Sequence, residues 1–169
     1  MKRIIIPALA AMALAGAANA QESGWTVEHE PSAMEPSRST AVAILPSSNF
    51  VQNSLGMDDH ARLFVRCNGR GEVEFYLGWP TYIGRGVQDI DVKWDDLPID
   101  NESWETGQSG TTMGWWNTRR STPYVDALQN HQRVVVSLEA FRGTAQEAVF
   151  DLAGADQAIR EMKATCGIA

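Results

Sequence analysis

Two β-rich runs, Arg62-Leu63-Phe64-Val65-Arg66-Cys67 and Glu72-Val73-Glu74-Phe75-Tyr76-Leu77, flank the tetrapeptide Asn68-Gly69-Arg70-Gly71, and this leaves the chain little local freedom. Asn-Gly tolerates the positive φ angles that tight strand connections need, so the runs are expected to pair as a hairpin. In the second run Val73, Phe75 and Leu77 share one face, with Glu72, Glu74 and Tyr76 on the other. One apolar and one polar face suits an antiparallel sheet with one side buried.

The same alternation predicts further strands. Trp25 to Glu28 reads as a short first strand, and Ser39 to Leu45 as a second, stopped by Pro46-Ser47-Ser48-Asn49. Val87 to Trp94 places Ile90, Val92 and Trp94 together, and Glu102 to Glu105 forms a short strand around Trp104. Thr106 to Asn117, rich in Gly, Ser and Thr, is expected to wind or pair weakly. Arg133 to Phe141 and Ala145 to Leu152 form a second hairpin around Arg142-Gly143-Thr144. Two helices complete the pattern. Thr122 and Pro123 supply an N-cap and first position for one. Ala155 to Cys166 sets Ala155, Ala158, Ile159, Met162 and Cys166 on one stripe. The expected fold is mainly β (all-β to α+β): an antiparallel β-sandwich-like domain with a C-terminal helix.

The first 20 residues read as an export leader. Lys2 and Arg3 begin it, an uncharged run from Ile4 to Ala18 follows, and Ala18-Asn19-Ala20 offers an A-x-A cleavage site. That run is too short and too rich in Ala, Gly and Pro for a membrane span. Cleavage after Ala20 would leave residues 21–169 as a single exported domain with no span of its own, placed in a periplasm. The leader takes two of the 14 basic residues and none of the 21 acidic ones, so the mature formal charge is −9. A domain this acidic is a poor partner for nucleic acid, which demands a basic face. In an oxidising compartment Cys67 and Cys166, the two cysteines of the chain, are expected to form one disulfide. Neither lies in a C-x-x-C motif, which disfavours a redox or metal pair.

No catalytic constellation emerges, and no cofactor or metal is implied. His29, His60 and His131 are the available bases, and no serine sits in a G-x-S-x-G elbow. Asp58-Asp59-His60 lacks a second histidine to complete a metal site. The pairs Asp95-Asp96 and Asp89/Asp91 could serve glycoside hydrolysis only across a cleft. The tryptophans stand out more. Six occur, and Trp79, Trp115 and Trp116 lie in glycine-flanked, loop-like segments. They form a possible binding surface for a glycan or protein partner; the competing reading is that they close the ends of the core. Trp115 and Trp116, being adjacent in extended chain, cannot both face inward.

Phe150-Asp151-Leu152-Ala153-Gly154, then Ala158-Ile159 and Cys166, resembles the F-x-L-x-G…A-I…C ending of small exported proteins associated with type VI secretion (VasI/TagO-like). Leu63 to Cys67 is similar to that family's strand bearing the partner cysteine, and Lys93-Trp94-Asp95, Trp104 and Trp25-Thr26-Val27 also fit; Thr106 to Asn117 does not. The resemblance implies an accessory role without catalytic residues. The expected function is therefore a non-enzymatic periplasmic binding accessory of a cell-envelope assembly, its partner an envelope protein or cell-wall glycan. The alternatives are a glycan- or peptidoglycan-binding module using the loop tryptophans, and an envelope hydrolase using Asp95 and Asp96.

Overall fold

The computed structural model describes residues 24–35, 38–140 and 143–168; the leader, with its cleavage site, and Phe141-Arg142 lie outside these. Eleven strands and two helices are described. The strands are β1 (Thr26–Glu30), β2 (Thr40–Pro46), β3 (Val51–Gln52), β4 (Asp58–Asp59), β5 (Arg62–Cys67), β6 (Val73–Gly78), β7 (Val87–Trp94), β8 (Asp100–Thr106), β9 (Thr112–Trp115), β10 (Arg133–Ala140) and β11 (Thr144–Asp151). Helix α1 (Thr118–Asn130) joins β9 to β10, and α2 (Ala155–Thr165) follows β11. Nine strands form one antiparallel sheet in the order β1-β2-β5-β6-β9-β8-β7-β10-β11, and β3 pairs β4.

The Asn68 hairpin forms as its sequence predicts. Cys67 pairs with Val73, and the Asn68 carboxamide oxygen accepts from the backbone of Arg70 and Glu72. The sandwich-like character comes from one sheet curled on itself rather than from two separate sheets. Both halves feed a common core: Leu63, Val65, Phe75 and Leu77 from one, Ile90, Val92, Val136 and Phe150 from the other, all essentially inaccessible. Burying each large apolar side chain contributes about 1.5–3 kcal/mol, which drives the curl. The turn after β2 then seals against β11. Ser48 N donates to Val149 O at 2.7 Å, and Asn49 accepts from Val149 N and donates to Glu147 O, both at 2.8 Å.

Two expectations are corrected. Thr106 to Asn117 does not pair weakly: it contains β9, a central strand between β6 and β8. Glycine-rich composition hid it, because Gly114 occupies a mid-strand position where no side chain fits. The first helix starts at Thr118, not at Pro123. Asn117 caps it by accepting from Arg120 N at 3.1 Å, a stronger start than Thr122 offers, and Pro123 lies inside the helix. The early start has a purpose in the sheet. β9 is too short to pair the beginning of β6, so Thr118 and Ser121 hydroxyls accept from Val73 N and Phe75 N instead, at 2.9 and 3.1 Å. Buried backbone donors are thereby satisfied.

Helix α2 packs on β1, β2 and β5, and the Cys67–Cys166 disulfide ties its end to β5 across 99 residues of chain. Among the described residues no helix is long and apolar enough to cross a membrane.

Candidate functional site

The two halves of the sheet differ sharply on their outer faces. Outside β7, β8, β10 and β11 stand mainly polar groups, Asp89, Asp91, Asn101, Ser103, Glu139 and Glu147, with Val87 and the Val135–Val149 pair among them. Outside β2, β5, β6 and β9 stand Val42, Ile44, Phe64, Tyr76 and Trp116, all half-buried.

Strand register builds this aromatic face. Ile44 lies opposite Phe64, Phe64 opposite Tyr76, and Tyr76 opposite Gly114. Phe64 and Tyr76 stack with centroids 4.8 Å apart and planes 13° from parallel, and Trp116 leans on Tyr76 at 5.0 Å and 32°. The absent side chains matter equally. A Cβ on Gly78 would sit 2.9 Å from the Phe64 ring, and one on Gly114 would fall 2.5 Å from Tyr76 Cα. Arg66 lies 5.7 Å from the Tyr76 ring centre and donates from Nε to Glu74 at 2.9 Å. Burial pushes the Tyr76 phenol up, with Arg66 opposing and Glu74 adding to the shift. Beside the ridge runs a groove of about 590 Å³, floored by Val42 and Ile44 and rimmed on β1 by Glu28 and Glu30.

The three tryptophans expected as a binding surface are not brought together there. Trp79 and Trp115 are 4% and 5% exposed and belong to the core; of the three, Trp116 alone reaches the outer face. Trp115 is roofed by Arg120, whose guanidinium carbon is 3.4 Å from its ring centre and which also pairs with Glu105 at 2.6 Å. Beneath it Tyr124 stacks on Phe75 at 5.1 Å, and Tyr124 and Trp104 both donate to Glu102. Burial, followed by the bond to Glu102, pushes the Tyr124 phenol up to about 12, so it stays a donor.

The acids considered for hydrolysis have other employment. Asp95, at φ 47°, bonds His131 Nδ1 through Oδ2 at 2.8 Å and accepts from Gln132 N and Arg133 N through Oδ1 at 3.0 and 2.9 Å. It anchors the end of α1 and the start of β10 to the β7–β8 turn. Asp96 is fully exposed, with Arg133 3.8 Å away. Asp89 and Asp91 accept from Ser103 and Asn101 across the strands. Asp58 and Asp59 form β4, and among the described residues no group of three or more His, Cys, Asp or Glu could hold a metal ion.

Asp95 yields a pH prediction. Its carboxyl is held below the usual carboxylate range, first by the His131 hydrogen bond and then by the Arg133 and Gln132 amides. A lowered folded-state pKa adds stability that is present above the unfolded value, about 4, and is lost as pH falls through the folded one. Asp95→Asn should therefore flatten the acid limb of unfolding midpoint against pH. An unchanged acid limb in the variant would refute the anchoring role.

Sequence reasoning missed Phe64, Tyr76 and the Val42/Ile44 floor. The signal was there: Ala41 to Leu45 is apolar at every position rather than at alternate ones, which marks a strand covered on both faces.

The sequence matches no known family model and no curated protein. Among solved structures it is similar to the crystal structure of invasion associated protein B from Bartonella henselae. The TM-score is 0.54 at 13% identity, over 84% of this chain and 92% of that one. At that identity the likeness is one of fold.

Proposed function

We propose that this protein is a non-enzymatic binding accessory of the periplasm that engages an envelope protein through the outer face of β2, β5, β6 and β9. The observation that carries the reading is the Phe64–Tyr76–Trp116 ridge with its groove, set on a sheet whose other half has a mainly polar exterior with no aromatic cluster among the described residues. Half-buried aromatics beside an arginine have the composition of protein-binding hot spots. The disulfide and the absence of a membrane-crossing helix among the described residues fit an exported protein. The C-terminal resemblance to the type VI secretion-associated family supports a place beside an envelope assembly.

A glycan is the less favoured partner on geometry. Sugars stack on free ring faces, whereas Phe64, Tyr76 and Trp116 lie against one another and Trp79 and Trp115 are interior. The test is capture from detergent-solubilised envelope by the immobilised oxidised protein, with Trp116→Ala, Tyr76→Ala and, as a control on the polar face, Glu147→Gln. Loss of an aromatic hot spot costs about 2 kcal/mol or more, roughly thirtyfold in affinity. The two aromatic variants should lose a protease-sensitive partner while the control keeps it. Retention on purified peptidoglycan, lost in the same variants, would overturn the protein reading in favour of the glycan one.

A further inference from the structure

The long sheet has two edges, and the protein treats them differently. The β11 edge is closed by its own chain. Ser48 N and Oγ reach Val149 O at 2.7 and 3.0 Å, Asn49 brackets Val149 N and Glu147 O, and Gln52 N bonds the Gln146 side chain at 3.2 Å. At the β1 edge, among the described residues, the strand's backbone bonds run to β2, no other backbone hydrogen bond reaches it, and four of its five residues are exposed. An uncovered edge is a row of donors and acceptors spaced for another strand.

Register then decides which strand would fit. Thr26, Glu28 and Glu30 oppose Ile44, Val42 and Thr40, so they share the outer face with the groove, while His29 turns to α2 and meets Glu161 and Thr165. Among the described residues neither Glu28 nor Glu30 is in an ion pair; Glu30 accepts from Thr40 Oγ1 at 3.3 Å. Acidic residues on an edge repel a second copy of the same edge and any acidic strand. They attract a strand with cations directly opposite, because cross-strand charge pairs of opposite sign stabilise and like pairs do not. The device is selective rather than closing. The net charge of −7 on the whole chain adds long-range attraction for the same partners.

We propose that the partner segment binds by strand addition to β1, as an extended stretch of another protein with Lys or Arg at alternate positions. Its cations lie beside Glu28 and Glu30, and their aliphatic stems reach over β1 toward Val42 and Ile44. This names the partner's chemistry at the face described above and so rests on that reading.

The test uses three octapeptides with the oxidised protein: alternating Lys-Val, alternating Glu-Val, and Lys-Val with every backbone nitrogen methylated, which removes the donors of both edges. Lys-Val should bind about tenfold or more tighter than Glu-Val and weaken with salt. It should also slow amide exchange in residues 26–30, and the methylated peptide should do neither. The variant Glu28→Lys/Glu30→Lys should reverse the preference, favouring Glu-Val; because the reversal is a gain of binding, it cannot come from misfolding. Equal binding of the methylated peptide, or no reversal in the charge-swapped variant, would overturn strand addition. If Lys-Val fails to bind while Trp116→Ala still abolishes envelope capture, this inference falls and the binding face stands. If Lys-Val behaves as expected while Trp116→Ala leaves capture intact, the edge stands and the aromatic face is not the contact.

Discussion

Replacing Cys67 and Cys166 together with serine should lower the stability of the oxidised protein by about 4–5 kcal/mol, the value for a cross-link closing roughly 100 residues. The bond spans 99 residues of sequence, so in the unfolded state it holds the two ends of most of the second half of the chain together. That amount is a large part of the 5–15 kcal/mol by which ordinary domains are stable. The folded-state consequence is local. Cys67 is fully buried at the end of β5, and Cys166 closes α2, whose Ile159 and Met162 are also fully buried. Without the link α2 is held by packing and by exposed side-chain hydrogen bonds, such as those of His29 to Glu161 and Thr165, and should open first. Urea unfolding of the wild type with and without reductant, beside the double serine variant, measures the global term. Amide exchange in residues 155–165 measures the local one. A loss below about 1 kcal/mol would show that the unlinked chain is already restrained, against the chain-entropy account.

Gly114→Ala should cost about 3–5 kcal/mol and disorder the aromatic face with it. Gly114 sits in β9 at φ 156°, and a Cβ there would lie 2.3 Å from Phe75 O and 2.5 Å from Tyr76 Cα. These are backbone atoms of the neighbouring strand, which cannot swing aside, so strain of about 1–3 kcal/mol adds to an overpacking cost of similar size. Gly78→Ala is the matched control. Its new Cβ meets the end of the Phe64 ring at 2.9 Å, and a ring can tilt, so about 1 kcal/mol is expected. Because β9 pairs β6 through four residues and β8 through two, forcing it outward weakens the joint between the two halves of the sheet. Thermal unfolding of both variants, with tryptophan fluorescence to follow Trp115 and Trp116, distinguishes them. Equal destabilisation of the two would show that the tolerance of the displaced atom does not control the cost.

Much of the fold is legible along the chain because its causes are local. The Asn68 turn, the inward row of Val73, Phe75 and Leu77, the second hairpin around Gly143, and the Ala155 to Cys166 stripe all arise from periods of 2 or 3.6 and from turn chemistry. The cysteine pair follows from number, two in the chain, together with the oxidising compartment that the leader sequence leads one to expect. Thr122-Pro123 carries a strong local start signal, yet the first helix begins at Thr118. Asn117 overrides it for a non-local reason: hydroxyls at 118 and 121 are needed where β9 runs out.

The candidate site was hidden for a similar reason. Alternation assigns Glu74 and Tyr76 to the outer face of a sheet, and the structure places them there. Whether an outer face is wet depends on which strands stand side by side, and the neighbours of β6 are β5 and β9, the latter 34 residues or more along the chain. Composition marks the tryptophans as unusual, but their environment follows from the curl of the sheet, which draws Trp79 and Trp115 inside and leaves Trp116 out. The hairpin at Asn68 is legible from the sixteen residues 62–77, since a two-stranded turn needs only its own backbone geometry. The aromatic ridge on that hairpin needed the register of four strands and two missing side chains, which no single stretch of sequence contains.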